Sequence, residues 1–113
     1  MKLITQLKNN HGIVKIEGSL SNENLQELEQ EFTTLLKKNR SILLDLFDVA
    51  FICSSALSLL LNFTKKAETG NLRFVIYGIN DDIKKLFTIT ELDRHLVLVD
   101  TLKEAQSILD SPV

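Results

Sequence analysis

The sequence predicts an α/β domain: a mixed, mainly parallel sheet of four to five strands with helices packed on it, in the order ββαβαβαβα. Three observations predict it. Short runs of Ile, Leu and Val alternate with longer segments whose apolar residues recur every three or four positions. Ile42-Leu43-Leu44-Asp45-Leu46 is nearly continuous and apolar, as a central strand covered on both faces requires. Turn and cap residues fall between these runs rather than inside them.

Residues 2–8 and 12–18 read as two short strands joined at the turn-rich quartet Asn9-Asn10-His11-Gly12. In the second strand Ile13, Lys15 and Glu17 alternate against Val14, Ile16 and Gly18, so one face is only partly apolar. Ser21 to Lys38 reads as a helix with Leu25, Leu28, Phe32, Leu35 and Leu36 on one stripe. Ser21 or Asn22 caps its start, and the early Glu23 and Glu27 and late Lys37 and Lys38 suit the helix dipole. After the central strand, a helix runs from about Ser55 to Glu68 and stops near Gly70. Leu72 to Tyr77 is the next strand, closed by Gly78. Asn80-Asp81-Asp82 opens a short helix carrying Ile83, Leu86 and Phe87. Leu96 to Val99 is the last strand, and Thr101-Leu102-Lys103-Glu104 is a capping box for a final helix with Ala105, Ile108 and Leu109.

No Pro/Gly/Ser linker or internal repeat interrupts the 113 residues, so residues 1–113 read as a single domain. The 13 Lys and Arg against 15 Asp and Glu give a net charge of −2. That balance argues against a generic electrostatic grip on nucleic acid or an anionic membrane. Six Phe, one Tyr and no Trp make a poor stacking platform for single strands. Cys53 is the only cysteine, which excludes an internal disulfide and fits a reducing compartment. The most apolar stretch, Ser41 to Phe63, is broken by Asp45, Asp48 and Cys53-Ser54-Ser55, so direct membrane insertion is not expected. These readings point to a cytoplasmic protein.

Enzyme motifs are missing. The four glycines form neither G-x-G-x-x-G nor G-x-x-x-x-G-K-[ST]. His11, in the expected turn, and His95, near a strand start, read as surface or edge residues rather than ligands, and no Cys/His set has metal spacing. Ser54, His95 and Asp93 make a triad only on paper, without the G-x-S-x-G elbow. The expectation is no catalysis, no cofactor and no metal. In sheets of this class, binding sites lie beyond the carboxyl ends of strands, and the expected turn from Asp48 to Ser55 is such a place.

The segment Asp45-Leu46-Phe47-Asp48-Val49-Ala50-Phe51-Ile52-Cys53-Ser54-Ser55-Ala56-Leu57 resembles the signature of the STAS domain, shared with bacterial anti-sigma factor antagonists. There a strand ending in D-L leads through a short loop and an apolar pair into D-S-[ST]-G-L at a helix start. Asp45-Leu46, Val49, Phe51-Ile52, Ser54-Ser55 and Leu57 match. Gly18-Ser19-Leu20-Ser21 is similar to the family's G-E-L-D, and Ile83-Lys84-Lys85-Leu86-Phe87 to its V-x-x-L-[FL]. Thr90-Glu91-Leu92 stands where S-G-L is usual, and Thr101 to Ala105 resembles the start of the terminal helix. Four positions depart from the pattern: Cys53 replaces Asp, Ala56 replaces Gly, Ser21 replaces Asp and Glu91 replaces Gly.

The resemblance implies a non-enzymatic phosphoprotein of transcription-regulating signalling. Its unmodified form would bind an anti-sigma factor of the histidine-kinase-like serine kinase type and release the sigma factor. Phosphorylation of Ser54 would break that complex, and a serine phosphatase would restore it. Ser21, Cys53, Ser54, Ser55 and Ala56 would line the partner surface. A second reading is a constitutive STAS interaction subunit, for example with the ATPase of a lipid-transport ABC complex. A third, a small hydrolase using Ser54 or Cys53, lacks a supporting triad. Considered alone, Ser54 reads either as a helix cap or as an anion-bearing position at a helix entrance. Cys53 reads either as a redox-sensitive thiol or as a small half-buried apolar residue.

Overall fold

The computed structural model describes residues 2–111. The elements are β1 (Lys2–Leu7), β2 (His11–Leu20), α1 (Leu25–Lys37), β3 (Ser41–Ile52), α2 (Ser54–Thr69), β4 (Phe74–Tyr77), α3 (Asp81–Ile89), β5 (Val97–Val99) and α4 (Leu102–Asp110). The five strands form one sheet in sequence order, β1-β2-β3-β4-β5. β1 runs antiparallel to β2, and every later neighbour pair is parallel. This is the expected mixed sheet and element order.

A sheet that grows steadily in one direction through right-handed crossovers puts α1, α2 and α3 on the same face. Leu28, Phe32 and Leu35 of α1, Leu57, Leu60 and Phe63 of α2, and Ile83 and Phe87 of α3 join one buried cluster with Val14, Ile16, Ile42, Leu44, Leu46, Phe74 and Ile76 of the strands. Phe32 sits at its centre, edge-on to Phe63 at 5.3 Å and to Phe74 at 5.0 Å between ring centroids. Among the described residues, the opposite face is covered by α4. There Ala105 and Leu109 close over Leu43, Val75 and Val99. Thr101 caps α4 as expected, its hydroxyl accepting from the Glu104 N–H at 3.1 Å, while the Glu104 carboxylate accepts from that hydroxyl at 3.1 Å rather than from the Thr101 N–H of a full capping box.

Three expectations need correction. The central strand does not stop at Leu46 but continues to Ile52, and the expected turn from Asp48 to Ser55 shrinks to Cys53. The reason is β2, whose ten residues give β3 a partner as far as Leu20↔Ile52, with irregular pairing at Lys15/Glu17 and Gly18/Leu20. The first long helix begins at Leu25 rather than Ser21, because Asn22–Asn24 form a 3-10 turn. Ser21 precedes that turn in extended backbone and makes no cap bond. His11 is not a turn residue on the surface. It opens β2, pairs with Ser41 of β3 and is 2 % exposed. The hairpin closes one step earlier, where the Lys8 N–H donates to the His11 carbonyl at 2.9 Å. His95, by contrast, is exposed as expected.

Candidate functional site

The long β3 carries the chain past the end of β4, which pairs only with Ile42 through Asp45. Beyond that point Val49 and Ile52 turn into the core while Phe47, Asp48, Ala50 and Phe51 face solvent. Phe47 and Phe51 are 65 % and 58 % exposed, unusual for side chains of that size. Phe47 stacks on Tyr77, with centroids 6.2 Å apart. Asp48 pairs with Lys15 of β2 at 3.3 Å, which raises the Lys15 pKa, first through the hydrogen bond and then through the charge of Asp48.

Cys53 then occupies the cap position of α2, in extended backbone and without a side-chain cap bond. Its N–H donates to the Leu20 carbonyl at 2.9 Å, and its thiol donates to Asn22 Oδ1 at 3.5 Å. These contacts bring the end of β2 and the 3-10 turn against the start of α2, so Ser21 and Cys53 lie in one neighbourhood, both half-buried. Ser54 and Ser55 are the first two residues of α2, and both are exposed. Ser54 is therefore not the helix cap; it follows the cap. Its position puts it among the unpaired N–H groups at the positive end of a sixteen-residue helix.

Ala56 differs from the other residues of the motif. It is fully buried, and its N–H donates to the Cys53 carbonyl at 3.1 Å. Its methyl belongs to the core and adds no bulk to the surface. Glu91, at the other motif glycine, adopts a left-handed conformation with φ 61°. The side chains of the paper triad are separated by the length of the sheet. Ser54 follows the carboxyl end of β3, whereas Asp93 and His95 precede the amino end of the parallel β5. Among the described residues no group of three or more His, Cys, Asp and Glu could hold a metal ion, and no helix is long and apolar enough to cross a membrane.

Sequence reasoning missed the exposed Phe47 and Phe51 and the part played by Asn80. The Asn80 Nδ2 donates to the Val49 and Ala50 carbonyls, 3.2 Å each, while Oδ1 accepts from the Ile83 N–H at 2.8 Å. The Asn80-Asp81-Asp82 sequence announces the helix cap; nothing in it announces the second pair of bonds.

Known proteins share this arrangement. The family model described as the STAS domain matches residues 2–105. A Thermotoga maritima protein assigned as an anti-sigma factor antagonist is 25% identical over 96% of this chain and 95% of its own, with a TM-score of 0.87. An anti-sigma factor antagonist from Mycobacterium paratuberculosis superimposes with a TM-score of 0.87 at 19% identity, covering 97% of this chain and 94% of its own. The Bacillus cell fate determinant SpoIIAA in its phosphorylated form gives 0.74 at 15% identity, over 95% of this chain and 98% of its own. The last two likenesses bear on the fold alone. With the family match running over nearly the full sequence, the chain belongs to the STAS domain family.

Proposed function

We propose that the chain is a non-enzymatic, cytoplasmic partner-switching regulator, acting as an anti-sigma factor antagonist whose docking surface surrounds Ser54. The observation that carries this reading is the exposure of Ser54 in the first turn of α2, on a scaffold of the STAS family. Ser21, Cys53 and Ser55 border the same spot, and the exposed Phe51 supplies an apolar anchor beside it. Ala56 enters this surface through its backbone only, since its side chain is buried.

A phosphate on Ser54 would add nearly two negative charges and three acceptor oxygens at the helix N-terminus. The N–H groups and dipole there favour such an anion by about 0.3–1 kcal/mol, so the fold tolerates the modification. The partner would meet the charge instead. A partner seated on Phe51 and α2 would have to desolvate a dianion, and a penalty of a few kcal/mol changes occupancy by orders of magnitude. The protein is substrate and ligand here, and has no reaction of its own to catalyse. The partners would be an anti-sigma factor with serine kinase activity and a serine phosphatase.

The test is intact-mass analysis after incubation with ATP and the cognate serine kinase. The expected result is one phosphate on the wild type and none on Ser54→Ala. An unmodified wild type, or a phosphate that survives Ser54→Ala, overturns the reading. Cys53 in place of the motif Asp leaves the constitutive interaction subunit as the second reading, because it removes the carboxylate next to Ser54. Co-purification of an ABC transporter ATPase rather than a soluble kinase would favour it.

A further inference from the structure

Charge is unevenly placed along the direction of the parallel strands. At their amino ends, where β2 and β3 begin, the Arg40 guanidinium bonds the Lys8 and His11 carbonyls. α1 and α2 both finish on this side, and bring exposed Lys37 and Lys66 with them. These two lysines flank an open groove between the helices, floored by Leu36 and Phe63. The Lys66 ammonium lies 4.8 Å from the centroid of the Phe63 ring. The groove holds about 260 Å³. A cavity of about 150 Å³ already accepts a benzene ring.

The end around Ser54 carries the opposite sign. Exposed Glu23 follows Asn22, whose Oδ1 accepts from the Cys53 thiol. Exposed Asp81 and Asp82 follow Asn80, whose amide holds the Val49 and Ala50 carbonyls. Phe51 lies between those two anchored stretches, its ring exposed. Lys15, on the neighbouring strand, is taken by Asp48. One end thus offers an apolar ring among carboxylates, and the other an apolar groove between ammonium groups.

We propose that the chain associates with a second copy of itself head to tail, the Phe51 of one copy seated in the α1–α2 groove of the next and Glu23, Asp81 and Asp82 facing Lys37 and Lys66. Two like ends repel, which disfavours a two-fold pairing of either surface. A heterologous contact leaves a free head and a free groove, so it extends into a chain of copies. An anionic bilayer would satisfy the lysines but leave Phe51 and its carboxylates unused. A partner that docks around Ser54 would compete with the second copy for the same head. The contact rests on charge and shape at two surfaces and not on phosphorylation, so its failure and that of the phosphorylation test are separate results.

Sedimentation equilibrium on the full chain tests it. At about 0.01 M salt, where the Debye length is about 30 Å, the average mass of the wild type should rise with concentration. At about 0.15 M, where that length is about 8 Å, the association constant should fall by about tenfold or more. A wild type that stays monomeric at low salt up to about 1 mM, or whose association ignores salt, overturns the proposal. So does one that sediments with phosphatidylserine vesicles without associating with itself. Two variants separate the ends. Phe51→Ser keeps the groove and loses the ring, whereas the double variant Lys37→Glu, Lys66→Glu keeps the ring and reverses the groove. Each should be monomeric alone. Mixed in equal amounts, they should form a species of twice the monomer mass and nothing larger, because each supplies the end the other lacks. A misfolded variant could not produce that result. Variants that associate alone as the wild type does, or folded variants whose mixture stays monomeric, overturn the proposal.

Discussion

Asn80 is hydrogen-bonded to Ala50: its Nδ2 reaches the Ala50 carbonyl at 3.2 Å and the Val49 carbonyl at the same distance. β4 is too short to pair with this part of β3, so one side chain takes over the role of a neighbouring strand. The same residue caps α3 through its Oδ1. The segment that leads to Ser54 is thus fixed on one edge by β2 and on the other by Asn80.

Replacing Asn80 separates its two roles. Asn80→Ala loses the cap, worth about 1 kcal/mol, and two hydrogen bonds worth about 0.5–1.5 kcal/mol each. It should destabilise the fold by about 1–4 kcal/mol in urea unfolding. Asn80→Asp keeps an acceptor for Ile83 but aims an oxygen at two carbonyls. Amide exchange should then quicken across residues 49–53 while the first turn of α3 stays protected. Equal protection across residues 49–53 in wild type and Asn80→Asp would show that the bonds to β3 do not hold it.

Two backbone positions should respond in opposite directions. Gly78 has φ +83°, and a Cβ there would lie 3.0 Å from the Phe47 Cα. Gly78→Ala therefore combines left-handed strain with a backbone clash, and should cost about 1–3 kcal/mol. Glu91 holds φ 61° without the freedom of glycine, and its ion pair with Arg94 is long, at 3.9 Å, and exposed. Glu91→Gly should raise stability by up to about 1 kcal/mol, relief of strain outweighing the added freedom of the unfolded chain. Urea midpoints of the two variants moving in the same direction would contradict this.

The contrast between elements shows what was legible in the sequence. The helices announced themselves because their stripes and caps are local: Leu28, Phe32 and Leu35 in α1, Thr101 and Glu104 in α4. The parallel central strands were legible as apolar runs. The second half of β3 was not, because its burial skips two positions between Val49 and Ile52 and its pairing depends on how far β2 extends. His11 was misplaced for the same kind of reason. It sits among turn-forming asparagines, but it pairs with Ser41 of β3, thirty residues away, and its neighbour Asn10 reaches the Leu109 carbonyl of α4, about a hundred residues away. The motif serine could be located from sequence, whereas the burial of the Ala56 side chain could not, since helix phase decides it.

Ala56→Gly would restore the motif residue at that position. The methyl is fully buried in the first turn of α2, so its loss leaves the surface around Ser54 unchanged. It should cost about 0.5–1 kcal/mol in backbone freedom and about 0.8 kcal/mol in lost burial. Thermal or urea unfolding should show that loss, and the rate of Ser54 phosphorylation by the cognate kinase should stay the same. A faster reaction with Ala56→Gly would mean that the backbone of α2, rather than its surface, limits access.

The depressed pKa of His11 also sets how global stability responds to acid. An unfolded histidine takes up its proton near 6.5, whereas the folded one, disfavoured first by burial, takes it up only at lower pH. Between those two values the unfolded chain binds more protons, so stability rises with pH across that window. The full contribution of neutral His11 is present above the unfolded value and is lost as pH falls through it toward the folded one. Each unit of separation corresponds to about 1.4 kcal/mol. Urea unfolding from about pH 7.5 down to 5.5, above the range where ordinary carboxylates titrate, should show this decline in the wild type. His11→Asn should flatten it. A wild-type slope that survives in His11→Asn would place the acid-sensitive group elsewhere in the molecule.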